Sequence, residues 1–311
     1  MKQALHLPRT RSPNDFIRRC MCWLHFVIVS TQPLSNAPAW PASAMLLAAG
    51  RGERMRPLTD VTPKPLLPVR GQPLLWYPLQ ALARAGVRSA VINTGWLGDQ
   101  IEPVFGQCFT PPPMGPAAEP AWADAASVQL RYSHEGRGTG EALETAGGIV
   151  RALPWLGDVF WVAAGDVFAP DFEFSAQAFA DFQTSPCLAH IWLVPNPTHN
   201  PLGDFGLSND GLALNMANPP SSSASFNGNA SPHAAQHSNA LFTFSTIALY
   251  KRAFFEADWC PIAAGNPDGV KAPLAPMLRA AMDRGLVSAA VYDGLWVDVG
   301  TPERLAQLNP G

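Results

Sequence analysis

Residues 44–69, AMLLAAGRGERMRPLTDVTPKPLLPV, are the stretch that decides the fold. They open with a short apolar run, Ala44–Ala49, which predicts a buried strand. The run ends in Gly50, and a polar loop that contains glycine, proline and arginine follows as far as Pro68. Two glycines early in this loop allow backbone N–H groups to approach an anion closely. The stretch therefore predicts a strand that feeds a ligand-binding loop.

Strand-like and helix-like segments alternate on the carboxyl side of this stretch. Strands are predicted at Arg88–Asn93, Val128–Ser133, Val159–Ala164, Cys187–Val194, Phe242–Tyr250 and Ser288–Tyr292. Helices are predicted at Pro73–Ala85, Leu97–Phe105, Glu144–Leu153, 173–183, 270–284 and 301–308. Alternation of this kind predicts an α/β protein with a mixed, mostly parallel sheet.

The overall composition supports a globular protein and excludes several classes. The chain has 311 residues, of which 47% are hydrophobic and 14% charged, so it has enough apolar surface for a sizeable core. A net charge of −3 gives no basic field for a nucleic acid, and no apolar run approaches the ~20 residues that span a bilayer. The five cysteines form no C-x-x-C pair, which indicates free thiols in a reducing compartment.

The amino-terminal segment differs in character from the rest of the chain. Residues 1–43 carry five basic residues and one acid, and they contain an apolar stretch, Cys20–Val29, that imitates a secretory signal. We interpret residues 1–43 as a disordered extension and residues 44–311 as the domain. Within that domain, the segments near 107–127 and 215–240 have the composition of surface insertions.

The Gly-rich loop offers cations as well as backbone donors. Arg51, Arg54 and Lys64 add positive side chains suited to a polyphosphate. The loop is not a Rossmann fingerprint, because Met55 stands where the third glycine is required, and no G-K-[ST] Walker element occurs. On these residues alone, an ordinary solvated loop remains an alternative to phosphate binding.

The combination G-x-G-x-R-M-x-P at 50–57 with P-K-P-L-L-P-V at 63–69 is more specific than its parts. It resembles the signature of the sugar-1-phosphate nucleotidyltransferases. The resemblance continues through Ile92-Asn93, Leu143–Ile149, Gly165–Val167, Gly203–Phe205 and Trp296–Thr301. It implies a Rossmann-like α/β/α three-layer fold and the transfer of a nucleotidyl group from a nucleoside triphosphate to a sugar 1-phosphate.

The resemblance also implies a role for each matched residue. Nucleotide binding is expected at Ala49, Gly50, Arg51, Gly52, Lys64, Glu144, Gly147 and Gly165; sugar-phosphate binding at Asn93 and Asp204; catalysis at Arg54 and Lys64; and Mg²⁺ ligation at Asp166 and Asp298. The two aspartates also suit this role on their own, because both follow apolar strand-like runs and their carboxylates are the oxygen ligands that Mg²⁺ prefers. Taken singly, each aspartate could equally be a turn residue or a helix cap.

Other matched or neighbouring positions allow two interpretations. Trp96 is expected either to stack on a ligand ring or to lie at the rim of the core. The loop 136–142 is enlarged, and its Arg137 either meets a sugar carboxylate or stays solvated. The Gly147-Gly148 step is expected to let the backbone approach a flat base.

Within the family, the chain is most similar to the members that join UTP to N-acetylmuramate 1-phosphate. This similarity implies small-molecule substrates, a role in peptidoglycan recycling, a cytoplasmic location, and a monomer or small homo-oligomer without nucleic-acid or membrane partners. The alternatives are transfer from GTP to mannose 1-phosphate, transfer from dTTP or UTP to glucose 1-phosphate, and a non-catalytic relative that senses nucleotides.

Overall fold

The computed structural model describes residues 42–111, 127–135, 142–216 and 241–310. The strands are β1 (Ser43–Ala48), β2 (Pro68–Val69), β3 (Gln72–Pro73), β4 (Ser89–Thr94), β5 (Cys108–Phe109), β6 (Val128–His134), β7 (Val159–Ala164), β8 (Val167–Phe168), β9 (Ala189–Val194), β10 (Phe205–Leu207), β11 (Ala213–Leu214), β12 (Leu241–Lys251), β13 (Val287–Val291) and β14 (Val297–Asp298). The α-helices are α1 (Trp76–Arg84), α2 (Ile101–Phe105), α3 (Glu144–Ala152), α4 (Ala176–Thr184), α5 (Leu274–Met282) and α6 (Pro302–Leu308).

The predicted first strand lies at the centre of the main sheet. β1 pairs in parallel with β4 on one side and with β7 on the other, and β6 continues the parallel run beside β4. β12 runs antiparallel to β7, and the described part of the sheet follows the order β11-β10-β12-β7-β1-β4-β6-β5, with β9 beside β12 and β13 beside β9. The prediction of a mixed, mostly parallel sheet is confirmed.

Helices cover both faces of this sheet. Successive residues of β1 face opposite sides, so Leu46 packs into one apolar cluster and Met45 into the other. Residues of α1 and α4 fill the first cluster, and residues of α3 and α5 fill the second. The result is the three-layer α/β/α arrangement that the sequence predicts.

A third, smaller cluster supports the Gly-rich loop. It joins Met55 of the loop to Phe168 of β8, Val299 after β14, and Leu305 of α6, all of which are buried. β14 pairs antiparallel with β8, so that Asp298 lies opposite Val167. This pairing brings the end of the chain back to the strand end that carries Asp166.

Several predicted boundaries are wrong for local reasons. The helix predicted at Pro73–Ala85 begins only at Trp76, because Gln72–Pro73 pairs with Pro68–Val69 in a small hairpin. The helix predicted at 270–284 is shorter, Leu274–Met282, because Pro273 takes an extended conformation before it.

Part of one predicted insertion also has regular structure. Cys108–Phe109, within 107–127, forms an edge strand antiparallel to β6. Residues 112–126 and 217–240 of the two insertions, residues 136–141, and the amino-terminal extension up to residue 41 lie outside the described residues.

Two simpler predictions concern the thiols and the membrane. Cys108, Cys187 and Cys260 are free, as predicted, whereas Cys20 and Cys22 lie outside the described residues. Among the helices that the structure describes, none has the length and apolar character needed to cross a membrane.

Candidate active site

A cavity of about 690 Å³ opens beside the carboxyl ends of β1 and β7. The predicted site residues that line it are Ala49, Gly50, Gly52, Arg54, Lys64, Asn93, Glu144 and Asp166. These residues come from four separate parts of the chain. Their convergence at the carboxyl edge of parallel strands is typical of ligand sites in α/β folds.

The Gly-rich loop is held in one conformation by Gly52 and Thr59. Gly52 has φ 68°, in the left-handed region, and a Cβ there would lie 3.1 Å from Thr59 Cγ2. The Thr59 hydroxyl donates to the Gly52 carbonyl at 2.9 Å. A Cβ on Gly50, in contrast, would meet no atom within 4 Å, so this position is open to a ligand.

Lys64 lies between the two predicted metal carboxylates. Its Nζ is 2.6 Å from Asp166 Oδ2 and 3.8 Å from Asp298 Oδ1, and its side chain is only 8% exposed. The backbone holds the two aspartates together, because the Val299 N–H donates to the Asp166 carbonyl at 3.1 Å. Asp298 does not itself line the cavity, but its neighbour Gly300 does. Both carboxylates therefore face one cation position.

A second pair of side chains contacts Asp298 from the far side. Arg304 Nη1 donates to Asp298 Oδ2 at 2.9 Å, and His199 Nε2 lies 3.5 Å from the same oxygen. Burial, followed by the positive charge of Arg304, lowers the pKa of His199. Neither His199 nor Arg304 was predicted from the sequence, because it is the fold that brings His199 to Arg304 and Asp298 from a distant part of the chain.

Asn93 and Glu135 form a buried hydrogen-bonded pair at the floor of the cavity. Asn93 Oδ1 accepts from Ala48 N at 2.7 Å, and Asn93 Nδ2 donates to Glu135 Oε1 at 2.6 Å. Glu135 Oε2 accepts from Leu143 N at 2.8 Å. Burial raises the pKa of Glu135, whereas its two donors oppose that shift.

The Asn93–Glu135 pair bears on the predicted role of Asn93, and it adds Glu135 to the candidate site. Asn93 was predicted to bind the sugar phosphate, yet both ends of its amide are engaged with the protein. Glu135 was not predicted, although it lines the cavity and is only 2% exposed. The one available signal was an acidic residue directly before the Gly-rich segment 136–140.

The Gly147-Gly148 step serves packing within the protein. A Cβ on Gly147 would lie 2.6 Å from the carbonyl oxygen of Val270, and one on Gly148 would overlap Glu135 Oε1. Gly147 does not line the cavity, and its packing against Val270 accounts for its small size, so the approach of a flat base to this step stays a prediction. Glu144 does line it, with φ 59°, and backbone strain of this kind clusters at functional sites.

Arg51 and Trp96 contact each other instead of the cavity. The Arg51 guanidinium lies 4.2 Å from the centroid of the Trp96 ring and forms a 2.9 Å ion pair with Glu53. Trp96 Nε1 donates to the Thr59 carbonyl at 2.8 Å. These contacts fit the second interpretation of Trp96, a residue at the rim of the core. They also hold the Gly-rich loop in place.

Gly165 and Asp204 also lie outside the cavity lining. A Cβ on Gly165 would be 2.8 Å from Leu75 Cδ1, so its small size is required by the core. Asp204 Oδ2 accepts from Phe244 N at 2.8 Å, and Oδ1 accepts from Asn200 Nδ2 at 3.2 Å. Both positions adjoin residues that line the cavity: Ala164 and Asp166 flank Gly165, and Asp204 contacts Phe244 and precedes Phe205.

The far end of the cavity has an apolar wall that the sequence analysis did not predict. Its members are Val162, Phe205, Phe244, Tyr250, Leu274 and Leu278. They come from β7, β10, β12 and α5, so no single segment carries the pattern.

Comparison with known proteins identifies the family. The sequence profile of the nucleotidyl transferase family matches residues 43–311. The chain belongs to the nucleotidyl transferase family. It is 43% identical over 272 residues to N-acetylmuramate alpha-1-phosphate uridylyltransferase of Neisseria meningitidis serogroup B, covering 86% of this chain and 96% of the relative.

Two further comparisons agree with this membership. This nucleotidyl transferase is 29% identical to N-acetylmuramate alpha-1-phosphate uridylyltransferase of Caulobacter vibrioides, over 85% of this chain and 93% of the relative. Among solved structures, it resembles UDP-glucose pyrophosphorylase complexed with UDP-glucose. The TM-score is 0.58 and the identity 16%, over 86% of this chain and 96% of that one, and this likeness shows the fold alone.

The donor set of the nucleotidyl transferase is compatible with a hard metal ion. Within 42–111, 127–135, 142–216 and 241–310, no group of three or more His, Cys, Asp or Glu side chains is arranged to hold a metal. Asp166 and Asp298 supply two carboxylates to one position, which Lys64 fills with an ammonium. Mg²⁺ is commonly held by one or two carboxylates together with waters and substrate phosphates, so the two residues fit it.

Proposed function

We propose that this chain transfers a uridylyl group from UTP to N-acetyl-α-D-muramate 1-phosphate, giving the UDP-sugar and pyrophosphate. The observation that carries the proposal is the 43% identity to the Neisseria meningitidis enzyme over 96% of its length. The cavity supports it, because the Gly-rich loop, Lys64 and Asp166 line one space.

On the triphosphate side, backbone and cationic donors surround the same space. The N–H groups around Gly50 and Gly52 are placed to donate hydrogen bonds to phosphate oxygens, since the loop is open at Gly50. Arg54 lines the cavity, is exposed, and forms no ion pair within the described residues. Its guanidinium is therefore available to the charge that develops on the α-phosphoryl group.

The reaction needs no general base from the protein. The phosphate oxygen of the sugar 1-phosphate is already anionic at neutral pH and attacks the α-phosphorus in line. One P–O bond forms, the α–β phosphoanhydride bond breaks, and pyrophosphate leaves with its electron pair. The protein contributes positioning and charge neutralisation, which dominate phosphoryl-type transfers.

Mg²⁺ would be held by Asp166 and Asp298, and it would supply charge neutralisation across the reacting phosphates. Lys64 pairs with Asp166 in this structure. With a metal on these carboxylates, the Lys64 ammonium would no longer be their main partner and would be available to the phosphates. Lys64 reaches them from a rigid backbone, because Pro63 and Pro65 flank it.

The remaining assignments stay predictions of the sequence analysis. Glu144 is the predicted nucleotide-binding residue of α3 that lines the cavity. Arg51, Gly147 and Gly165 in nucleotide binding, and Asn93 and Asp204 in sugar-phosphate binding, would act through the neighbours that they position. We also propose a cytoplasmic role in peptidoglycan recycling, because nucleotides and sugar phosphates are cytoplasmic metabolites.

A substrate matrix tests the proposal. The purified chain is assayed for pyrophosphate release with UTP and GTP, each combined with N-acetylmuramate, glucose and mannose 1-phosphates, in the presence of Mg²⁺. UTP with N-acetylmuramate 1-phosphate should be the best pair, by at least about 10²-fold in kcat/KM over GTP. A best rate with GTP and mannose 1-phosphate would contradict the uridylyl assignment, and no turnover with any pair would favour a nucleotide-sensing protein.

A further inference from the structure

The contact between Arg304 and Asp298 depends on the absence of a side chain at residue 300. A Cβ on Gly300 would overlap Arg304 Nη2 and lie 3.0 Å from Asp298 Oδ2. The guanidinium therefore occupies the space that a side chain at 300 would take. In that space, Nη1 donates to Asp298 Oδ2 at 2.9 Å.

The guanidinium is fixed from several sides. Arg304 lies in α6, whose first turn is capped by Thr301 Oγ1 accepting from Arg304 N at 3.4 Å. Leu305 and Leu308 anchor the same helix in the buried cluster below the Gly-rich loop. His199 Nε2 lies 3.0 Å from Arg304 Nη1, and the Arg304 side chain is only 15% exposed.

These contacts orient one carboxylate. Asp298 Oδ2 is engaged by Arg304, whereas Oδ1 faces Lys64 Nζ at 3.8 Å, on the side where Asp166 lies. A carboxylate without a partner would rotate about its last bond. Here the contact of one oxygen with Arg304 fixes that rotation, so that the other oxygen faces the position shared with Asp166.

We propose that Arg304 is a positioning residue that holds Asp298 for divalent metal binding, with Gly300 providing the space for it. This inference rests on the proposed Mg²⁺ site of the proposed function. Partners of this kind, which bind the ligand residue and not the metal, typically contribute 10- to 100-fold to metal affinity. No sequence motif marks Arg304, and its role follows from the contact geometry.

Charge alone predicts the opposite change in metal affinity when Arg304 is removed, which makes the inference testable. Arg304 is a cation close to a cation site, so its removal should by charge alone tighten metal binding. If Arg304 acts by orienting Asp298, its removal should weaken metal binding instead. The two accounts therefore differ in direction as well as in size.

The experiment titrates Mn²⁺ alone into the full-length protein and follows free Mn²⁺ by electron paramagnetic resonance. The variants are Arg304→Met and Gly300→Ala, with Arg304→Lys as the conservative exchange. Gly300→Ala keeps every charge; its methyl group would displace the guanidinium and would also lie 3.0 Å from Asp298 Oδ2, so Arg304→Met is the variant that tests Arg304 by itself. Arg284→Met is the matched control, since Arg284 packs on the Trp259 ring, 4.6 Å away, and does not line the cavity. Thermal unfolding checks that each variant is folded.

The expected result is a Kd for Mn²⁺ raised about tenfold or more in Arg304→Met and in Gly300→Ala, partial recovery in Arg304→Lys, and no change in Arg284→Met. The Mn²⁺ concentration for half-maximal turnover should rise in parallel, with the nucleotide KM changing less. Unchanged or tighter Mn²⁺ binding in folded Arg304→Met and Gly300→Ala would overturn the inference, as would a wild-type protein that binds no Mn²⁺. The binding readout needs no substrate, so a failed uridylyl assignment would not affect it.

Discussion

Replacing Gly148 by alanine should destabilise the protein through Glu135. Gly148 lies inside α3, where alanine is intrinsically favoured by up to about 1 kcal/mol. The added Cβ would overlap Glu135 Oε1 and lie 3.1 Å from Asn93 Nδ2. Because Glu135 is 2% exposed and bonded on both oxygens, the carboxylate cannot move away without losing a donor.

The expected cost follows from those two hydrogen bonds. A hydrogen bond to a charged group contributes about 1.5–3 kcal/mol. Loss of both bonds, less the helix preference for alanine, lowers the free energy of unfolding by about 2–5 kcal/mol. For a domain of this size, that change corresponds to a fall in Tm of about 5–20 °C.

The assay is thermal and chemical unfolding of Gly148→Ala beside Gly50→Ala. Gly50→Ala places its methyl in open space, so its Tm should equal that of the wild type. The same methyl enters the cavity beside the proposed phosphate position, so the KM for UTP should rise in Gly50→Ala while its stability is unchanged. A Gly148→Ala protein with the wild-type Tm and urea midpoint would refute the reasoning that Glu135 is immovable.

Three further predictions concern the charged groups. Asp166→Asn and Asp298→Asn should each lower kcat by about 10²-fold or more, measured at saturating Mg²⁺; near-normal turnover in both would contradict their assignment. Lys64→Ala should lower kcat/KM for the nucleotide by about 10²-fold, whereas Arg70→Ala, whose guanidinium lies over the Phe168 ring, should change it by less than about threefold. Burial lowers the pKa of His190 from 6.5 to about 4, so the unfolded chain takes up the proton first as the pH falls. The free energy of unfolding should therefore decrease by up to roughly 3 kcal/mol between pH 7 and pH 4, and this slope should be reduced in His190→Gln, as urea unfolding at several pH values would show.

Local patterns along the chain were sufficient to predict the centre of the fold. The apolar runs that became β1 and β7 are continuous, because each strand is buried on both faces, and a glycine, Gly50 or Gly165, ends each run. The short strands β8, β10 and β14 could not be predicted in this way. Each has two or three residues and exists only because a remote segment pairs with it.

The residues of the candidate site likewise fall into those that a local motif predicts and those that only the fold brings together. Lys64 and Asp166 belong to contiguous motifs, and the structure places them 2.6 Å apart. Glu135 and Arg304 carry no motif, because their function comes from which donor or acceptor the fold brings to them. For the glycines, the sequence pattern does not separate packing from ligand contact: Gly147 is predicted to lie near a base, and in the structure the backbone at Val270 already accounts for its lack of a side chain.

The charged side chains of the site can be compared with the negative charge of the proposed substrates. Asp166 and Asp298 are offset by Lys64 and Arg304, so this group of four is close to neutral without a ligand. Arg54 adds one cation to the cavity lining that has no ion-pair partner within the described residues. A nucleoside triphosphate and a sugar 1-phosphate together carry far more negative charge than one arginine offsets. Under the proposed function, the phosphates would require a further cation, and Asp166 and Asp298, which hold Lys64 in this structure, would be the groups that hold a divalent metal beside the nucleotide.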